Sequence, residues 1–321
     1  MSRRLVPFTF VVAVIALAGT SLVGQAPAGW TAPKTAWGDP DVQGFFTNND
    51  ESGIPLERPD EFEGKRLDDV TRDELSELSE ERNQRSEERA PFLGGLPIGS
   101  NPVHWFENFG AENSRAWLLV DPPDGKVPPV TAEAGRRPQG RGGSSFGNGP
   151  FNGPEDLSLY DRCITRGLPG SMMPAIYGNA YQIIQSPGYV AIRYEMVHET
   201  RIVPLDGRAH AGRDIVQWMG DGRGHFEGDT LVIETTNFNP RSTYRNGNAE
   251  AMRLVERFRA VGPDKIEWAV TVDDPTTWTQ PWTFAMNLTR VAANAQPYEY
   301  ACHEGNYGLA NLLSAARAAD R

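Results

Sequence analysis

The chain has 321 residues, of which 31 are Lys or Arg and 42 are Asp or Glu, so its formal net charge is −11. An acidic chain of this kind offers no broad positive surface to phosphates, which argues against a nucleic-acid partner. With 39% hydrophobic residues the chain can build a core, and its 33 glycines and 25 prolines favour many turns over long helices. Composition therefore predicts a folded protein that is not a helical bundle.

Residues 1–28 have the pattern of a secretory signal peptide. Arg3 and Arg4 precede an apolar run from Leu5 to Ala18, and small residues follow as far as Ala28. The run is short for a membrane span, which needs about 20 residues, and an uncleaved N-terminal anchor is the alternative. We therefore predict a periplasmic or secreted protein with no membrane span after cleavage.

Residues 29–135 are predicted to form an N-terminal arm, a charged helix and a first strand region that pack on the core. A helix is expected over about Arg72 to Glu88, where Thr71 and Glu74 match a capping box. Most of its residues are charged, which is typical of a helix that faces solvent. The run from Arg115 to Val120 favours a strand. Residues 136–153 are rich in glycine and arginine and are predicted to be a flexible loop.

Residues 154–321 have the pattern of an antiparallel β core with a C-terminal helix over about Tyr307 to Ala319. Segments rich in β-branched and aromatic residues alternate with turn pairs such as Pro187-Gly188 and Asp206-Gly207. No amphipathic helices separate them, so an antiparallel meander that forms a barrel or a sandwich is favoured over a parallel sheet. The predicted fold class is mainly β. The predicted strands are 181–185, 189–198, 201–204, 214–219, 226–238, 253–261, 265–272, 281–288 and 297–302.

The two cysteines of the chain, Cys163 and Cys302, are predicted to form a disulfide. The reason is that an exported chain meets an oxidising compartment. The alternative is that Cys302 is a thiolate nucleophile, since His303 follows it directly. Adjacency in sequence, however, does not orient an imidazole toward a thiol, which favours the disulfide.

Several motifs along the chain resemble those of a family of secreted bacterial proteins for which no activity is established. The resemblance covers most of the chain after residue 28 and implies export. It assigns no catalytic role, so the role of each candidate residue rests on residue chemistry alone. The motifs are Trp37–Asp41 (WGDPD), Val120–Gly125 (VDPPDG), Pro204–Arg208 (PLDGR), Glu227–Val232 (EGDTLV) and Tyr298–Tyr307 (YEYACHEGNY).

Acidic residues recur among large apolar residues in the predicted strands, and this pattern suggests acid/base chemistry. Glu195 and Glu234 are the candidate catalytic carboxylates. If their strand faces line a barrel interior, desolvation raises a carboxyl pKa and a neighbouring guanidinium such as Arg193 lowers it. Two carboxylates in unequal surroundings can then take separate acid and base roles. The alternative is that these residues form cross-strand ion pairs on a solvated face.

His198 and His303 are the candidate proton-transfer residues, because an imidazole titrates near neutral pH. His303 lies after the last predicted strand, with Asn306 close by, although a role in capping the final helix is the alternative. A metal site built from His198, His210 and His303 remains open. Neither HE dipeptide has the second histidine of a zinc-protease helix, and we predict no metal and no cofactor.

These residues together predict a cofactor-independent acid/base enzyme, a lyase or hydrolase, that acts on a small sugar-like or phenolic compound. The alternative is a non-catalytic periplasmic ligand-binding or envelope-assembly protein. Both hypotheses predict a small-molecule ligand, and the sequence does not indicate the oligomeric state. The predicted substrate-binding residues supply guanidinium, aromatic or amide groups, and they are Arg193, Arg201, Trp218, Tyr194 and Asn306.

Overall fold

The computed structural model describes residues 30–94, 110–137, 151–292 and 298–319. Within these ranges the fold is mainly antiparallel β with two helices, as the sequence predicts. The predicted signal peptide at 1–28 and most of the predicted loop at 136–153 lie outside the described residues.

One twisted sheet of ten strands accounts for most of the described residues. Its strands pair in the order β5-β4-β3-β1-β10-β9-β8-β7-β6, and β2 pairs with β10 off this path. Every pairing in the sheet is antiparallel. The strands are β1 (Gly44–Thr47), β2 (Leu119–Asp121), β3 (Ala180–Ser186), β4 (Tyr189–Tyr194), β5 (Thr200–Pro204), β6 (Asp221–Glu227), β7 (Thr230–Thr236), β8 (Arg253–Ala260), β9 (Lys265–Asp273) and β10 (Trp282–Arg290).

The two edge strands, β5 and β6, lie beside each other and nearly close the sheet into a barrel. Val203 in β5 and Leu205 directly after it pack over the glycines of β6. A Cβ atom at Gly224 would lie 2.6 Å from Cδ2 of Leu205 and 3.1 Å from Cγ1 of Val203. Glycine therefore lets the side chains of one edge approach the backbone of the other. The predicted meander is a barrel rather than a sandwich.

The side chains of successive residues alternate between the barrel interior and its outer face, as the period of a β-strand requires. In β4, Val190, Ile192 and Tyr194 are buried, whereas Arg193 between them is half-buried on the outer face. In β8, Leu254, Glu256 and Phe258 are fully buried. The last set puts an acidic residue in the interior of the barrel.

The strand predictions were wrong at three places. The segments at 214–219 and 298–302 contain no strand in the described residues. The stretch predicted as one strand over 226–238 is instead the end of β6, a turn and β7. Gly228 makes this turn with a φ of 58°, a conformation that glycine adopts without strain. The Asp221-Gly222 pair is typical of a turn in sequence, although these residues begin β6.

The N-terminal arm contributes a strand to the barrel itself. Four residues, Gly44–Thr47, lie between β3 and β10, with Phe46 opposite Tyr181 on one side and Arg290 on the other. Without β1, the two halves of the sheet would have no hydrogen-bonded connection at this point. The arm therefore completes the core in addition to packing on it.

The two predicted helices are present. Helix α1 spans Arg72–Gly94 and α2 spans Tyr307–Ala319. The capping box of α1 is confirmed, because the Glu74 backbone N–H donates to Thr71 Oγ1 at 3.2 Å and the Thr71 N–H donates to Glu74 Oε2 at 2.9 Å. Arg82 anchors α1 by donating to Asn113 Oδ1 at 2.7 Å. In the part of the chain that the structure describes, neither helix is long and apolar enough to cross a bilayer.

The predicted disulfide between Cys163 and Cys302 is confirmed, with their Cα atoms 5.7 Å apart. It joins the segment that precedes β3 to the segment that precedes α2. Because both sulfurs are in this bond, the alternative of Cys302 as a thiolate nucleophile is wrong.

Candidate functional site

Arg201 and Tyr194, two of the predicted substrate-binding residues, lie inside the barrel. The Arg201 guanidinium forms a two-point ion pair with Glu256, with Nη1 donating to Oε2 at 2.5 Å and Nη2 to Oε1 at 3.1 Å. Trp268 Nε1 donates to the same Oε1 at 3.1 Å. Burial raises the pKa of the Tyr194 hydroxyl well above its usual range, so this phenol is neutral.

The interior around this ion pair is packed with protein. Trp282 Nε1 and Thr235 Oγ1 are both inaccessible to solvent and have no hydrogen-bond partner among the described residues. An internal space large enough for a water molecule would expose these polar atoms. No water-sized space therefore adjoins these two atoms, and Tyr194, Phe258 and Trp268 near the ion pair are likewise 0% exposed. The polar clusters that reach solvent lie on the outer face and at the rim.

Glu195 and His198 lie where β4 leaves the sheet. Glu195 is buried, and its Oε2 accepts a hydrogen bond from the Ala180 backbone at 3.2 Å. A single helical turn at Met196–His198 follows, in which Val197 and His198 have positive φ values of 62° and 49°. His198 is exposed, and its Nδ1 lies 2.9 Å from the carbonyl oxygen of Tyr300. This contact brings His198 next to the segment that carries Cys302 and His303.

His303 and Asn306 lie just before α2. The His303 side chain is exposed, while Asn306 Oδ1 accepts the backbone N–H of Leu309 at 3.2 Å and so caps the helix. Asn306 Nδ2 also donates to the Asp161 carbonyl at 2.8 Å. Asn306, rather than His303, therefore caps the C-terminal helix.

Three tyrosine hydroxyls lie close together at the end of the barrel where His198 contacts Tyr300. Tyr160 Oη lies 3.2 Å from Tyr177 Oη and 3.0 Å from Tyr300 Oη, and the latter two are 3.4 Å apart. The rings of Tyr177 and Tyr300 are nearly parallel, with their centroids 6.3 Å apart. Burial and the hydrogen bond with Tyr177 raise the pKa of Tyr160 to about 12, and burial and both neighbouring phenols raise the pKa of Tyr300. We call Tyr160, Tyr177 and Tyr300 the phenol cluster.

A second polar group lies on the outer face of β6, β7 and β8. His210 Nδ1 is 3.3 Å from Asp221 Oδ2, and His210 Nε2 is 3.6 Å from Glu234 Oε1. Asp221 is buried and is held in turn by Arg223 Nη1 at 2.5 Å, while Arg253 Nη2 lies 2.7 Å from Glu234 Oε2. The imidazole thus lies between a fixed carboxylate and a more exposed one. We call Asp221, His210 and Glu234 the imidazole site.

The loop from 205 to 220 carries His210 and Trp218 to this face. Asn237, in a left-handed conformation with a φ of 56°, places its Nδ2 within 3.0–3.2 Å of the carbonyl oxygens of Ala211, Gly212 and Ile215. The Gln217 backbone N–H donates to the Asn237 carbonyl at 3.0 Å. Asn237 therefore holds the loop at four positions between 211 and 217. Long loops without secondary structure in a compact domain are usually functional, so the fixed position of this loop favours a site here.

Trp218 and Arg193, the remaining predicted substrate-binding residues, lie in different places. Trp218 is half-buried in the loop, and one face of its ring is covered by the Arg241 guanidinium at 5.1 Å. Arg193 lies on the outer face of β4, opposite Gln182 and Thr200 of the neighbouring strands. The predicted residues therefore do not form a single site. Glu234 belongs to the imidazole site, Trp218 lies elsewhere on the loop that carries His210, and Arg193 lies on the outer face of β4. Glu195, His198, His303 and Asn306 lie towards the end of the barrel that carries the phenol cluster, and Arg201 and Tyr194 are in the core.

The metal site considered at His198, His210 and His303 does not form. Among the described residues, no group of three or more His, Cys, Asp or Glu side chains could hold a metal ion. The reason is topological, because His210 lies on the loop before β6 whereas His198 lies beside the segment before α2.

Sequence reasoning named Glu234 and Trp218 but overlooked His210 as a proton-transfer residue. The signal that could have found it is the pairing of β6 with β7, which puts Asp221 opposite Thr236 and Arg223 opposite Glu234. The sequence pattern missed this pairing because Asp221-Gly222 is typical of a turn, so that Asp221 was not expected on a strand. The phenol cluster has no local signal at all, because Tyr160 and Tyr300 are 140 positions apart.

No protein-family model and no curated protein matches this chain. A search of solved structures finds a secretary abundant heat soluble (SAHS) protein from Ramazzottius varieornatus, at 11% identity and a TM-score of 0.25. The match covers 42% of this chain and 87% of that protein. A TM-score of this size does not establish a common fold, and no function is transferred from that protein to this chain.

Proposed function

We propose that this protein is an exported acid/base enzyme, a lyase or hydrolase, whose proton transfer takes place at the imidazole site. The observation that supports the proposal is the position of His210 between Asp221 and Glu234. An imidazole oriented by a carboxylate at one nitrogen can accept or donate a proton at the other. No cofactor is needed for this step.

Each residue of the site has a distinct chemical role. Asp221 Oδ2 accepts from His210 Nδ1, which places the free electron pair on Nε2, and the Ala211 backbone N–H at 2.8 Å keeps that carboxylate in place. Nε2 removes a proton from a substrate hydroxyl or an activated carbon. Glu234 stabilises the imidazolium that forms, and Arg253 Nη2, at 2.7 Å from Glu234 Oε2, holds this carboxyl group in position.

The surroundings favour a small ring with hydroxyl groups as the substrate. Trp218 is half-buried on the same loop as His210, and Ile215 and Val216 of this loop are exposed apolar side chains. Flat aromatic side chains stack on sugar and phenolic rings. The carboxylates and guanidiniums of the site provide hydrogen-bond partners for hydroxyl groups.

The disulfide supports an oxidising location for the protein, because such bonds persist outside the cytoplasm. Expression with the native N-terminus in a Gram-negative host tests the export step. We expect the chain to be found in the periplasm or the medium with residues 1–28 removed, as N-terminal sequencing would show. A full-length chain that stays in the cytoplasm contradicts this part of the proposal.

Catalysis is tested by a screen of hydroxylated aromatic and sugar compounds with the purified chain. For a compound that is turned over, we expect His210→Gln to lower kcat by at least about 100-fold, since general acid/base groups contribute about 10²–10⁴-fold. The matched control is His225→Gln. His225 lies on the same outer face with Nε2 at 3.1 Å from Glu227 Oε1, but it has no buried carboxylate at its other nitrogen among the described residues.

The same assay compares His210 with the pair predicted from sequence, His198 and His303. Loss of turnover in His198→Gln or His303→Gln, with full turnover in His210→Gln, would move the catalytic site to the other end of the barrel. A compound that binds without forming any product would instead support a non-catalytic ligand-binding protein. Circular dichroism of each variant establishes that the change in turnover is not a loss of folding.

A further inference from the structure

The phenol cluster brings three oxygen atoms together from distant parts of the chain. Tyr160, Tyr177 and Tyr300 place their hydroxyl oxygens 3.0, 3.2 and 3.4 Å apart. Each of the three residues is half-buried. A phenol hydroxyl can donate one hydrogen bond and accept others. Three hydroxyl groups that meet at one point therefore also provide three oxygen atoms that could bind one ion.

The spacing of these oxygens matches the size of a small, highly charged cation. The point equidistant from the three oxygens lies about 1.9 Å from each, and small hard cations bind oxygen at about 2.0–2.1 Å. An ion slightly out of the plane of the oxygens satisfies that distance without moving the rings. The triangle is slightly larger than one face of a coordination octahedron, whose edges are about 2.8–3.0 Å at these bond lengths, and it fits three ligands on one side of an ion about 0.9 Å out of their plane.

We propose that Tyr160, Tyr177 and Tyr300 bind a ferric ion through their three phenolate oxygens. Hard oxygen donors suit hard cations, and tyrosinate is an established protein ligand of iron. Three phenolates carry three negative charges, which neutralise the charge of Fe³⁺. On binding, three O–H bonds break, three Fe–O bonds form and three protons pass to solvent, with no change in the oxidation state of the iron.

The fold holds this cluster in place covalently. The disulfide joins Cys163, three positions after Tyr160, to Cys302, two positions after Tyr300. His198 fixes the same segment through the 2.9 Å contact with the Tyr300 carbonyl. The Arg166 guanidinium lies 5.7 Å from the centre of the Tyr160 ring and lowers the pKa of its hydroxyl, but burial outweighs it and keeps that pKa raised, at about 12. The phenols therefore lose their protons only to the positive charge of the bound ion. Two of the three ligands are thus positioned before any ion arrives, which lowers the entropy cost of binding.

This site is separate from the imidazole site and does not depend on the proposed enzymatic activity. Its residues lie before β3 and before α2, whereas His210, Asp221 and Glu234 lie on β6, β7 and the loop that precedes β6. Iron binding can therefore be measured on a chain whose catalytic function has been removed. His210→Gln should bind iron as the wild type does.

The test is a titration of the full-length chain, purified without a histidine tag, with ferric nitrilotriacetate. We expect one iron per chain and a visible phenolate-to-iron charge-transfer absorption, which hydroxide-bound or carboxylate-bound iron lacks. Tyr160→Phe, Tyr177→Phe and Tyr300→Phe, which keep the rings, should each weaken binding at least tenfold and reduce the absorption. Tyr298→Phe is the matched control, because Tyr298 is in the same segment but is 80% exposed.

Two results would overturn the proposal. One is a wild-type chain that takes up iron without the charge-transfer absorption, or takes up none. The other is an absorption that survives unchanged in all three phenylalanine variants, which would place the iron on other tyrosines. Competition adds a further check, since colourless Ga³⁺ has the same charge and should displace the absorption, whereas Zn²⁺ should not.

Discussion

Arg201 and Glu256 form a two-point ion pair across the interior of the barrel, at 2.5 and 3.1 Å, and join two strands that are not neighbours in the sheet. Both side chains are at most 5% exposed. Removing two charges from water is costly, so the pair is retained only if each charge satisfies the other. The pair therefore ties β5 to β8 directly and specifies which strands face each other.

The first prediction concerns this pair. Arg201→Met or Glu256→Gln leaves one buried group without its charged partner, and we expect each to lower the free energy of unfolding by about 3–5 kcal/mol. The double variant should be more stable than either single variant, because it leaves no buried charge and the amide oxygen introduced by Glu256→Gln still accepts from Trp268 Nε1. Urea denaturation of the wild type, the two single variants and the double variant gives the coupling free energy between Arg201 and Glu256.

The control for this cycle is the exposed pair of Arg257 and Glu227, which are 2.8 Å apart. Arg257→Met should change the free energy of unfolding by less than about 1 kcal/mol, since solvent screens a surface pair. Strictly additive losses for Arg201→Met and Glu256→Gln would show that the two charges are not coupled.

The second prediction concerns the contact between the edge strands. Gly224→Ala places a methyl group 2.6 Å from Leu205 Cδ2 and 3.1 Å from Val203 Cγ1 and should destabilise the fold by about 1–3 kcal/mol, because these side chains must shift from their packed positions. Gly222→Ala is the matched control on the same strand and face, since its nearest neighbour would be at 3.4 Å. Thermal unfolding of the two variants distinguishes them, and equal melting temperatures would mean that the edges are not in close contact.

The third prediction concerns the disulfide. Its loop spans 139 positions, and removing the bond releases unfolded-state entropy that corresponds to roughly 5 kcal/mol in the chain-entropy model. We expect the Cys163→Ser, Cys302→Ser double variant to unfold at a clearly lower temperature than the wild type. A reductant should lower the melting temperature of the wild type and leave the double variant unchanged. A reductant effect of equal size on both proteins would place its origin elsewhere.

The fourth prediction concerns the pH dependence of stability at Glu51. This residue is 1% exposed and accepts from Ser114 Oγ at 2.7 Å, and burial raises its pKa above the usual value despite the nearby Arg115 charge. The folded state then binds the proton more tightly than the unfolded state, so stability falls as the pH rises from about 4.3 through the raised pKa. Glu51→Gln has no such proton, and its stability relative to the wild type should increase over this range.

Urea denaturation between about pH 3 and pH 8, a range that extends to both sides of the usual carboxyl pKa of about 4.3, provides the measurement. Glu227→Gln is a control of opposite sign, because Arg257 and His225 lower the pKa of Glu227. The wild-type Glu227 contributes stability above its unfolded pKa that is lost as the pH falls through the folded pKa. A stability difference for Glu51→Gln that does not vary with pH would contradict the prediction.

Local patterns in the sequence predicted the elements whose signals are local. The capping residues Thr71 and Glu74 marked the start of α1, and the apolar face of Leu309, Leu312 and Leu313 marked α2. By contrast, β1 has only four residues and lies among prolines and glycines, so its pairing with β3 and β10 could not be read locally. Its place is decided by contacts with residues more than 130 positions away.

The candidate sites show the same division. Glu234 and Trp218 could be named because an acidic or aromatic residue in a strand pattern stands out, whereas His210 depends on the register that brings Asp221 and Glu234 to one face. The guanidinium that pairs with Glu256 in the interior belongs to Arg201, and not to Arg193 or Arg257. Strand alternation indicates which side chains face inward, but the pairing of two inward charges depends on the curvature of the whole sheet.

The near-closure of the barrel has a consequence for how the protein behaves at high concentration. An open sheet ends in strands whose free backbone groups can recruit a strand from another molecule, which is a common start of aggregation. Here β5 and β6 shield each other, with Leu205 lying against Gly224. Each edge strand therefore covers the other against pairing with a second molecule. This protection depends on Gly224, because a side chain at this position would meet Leu205.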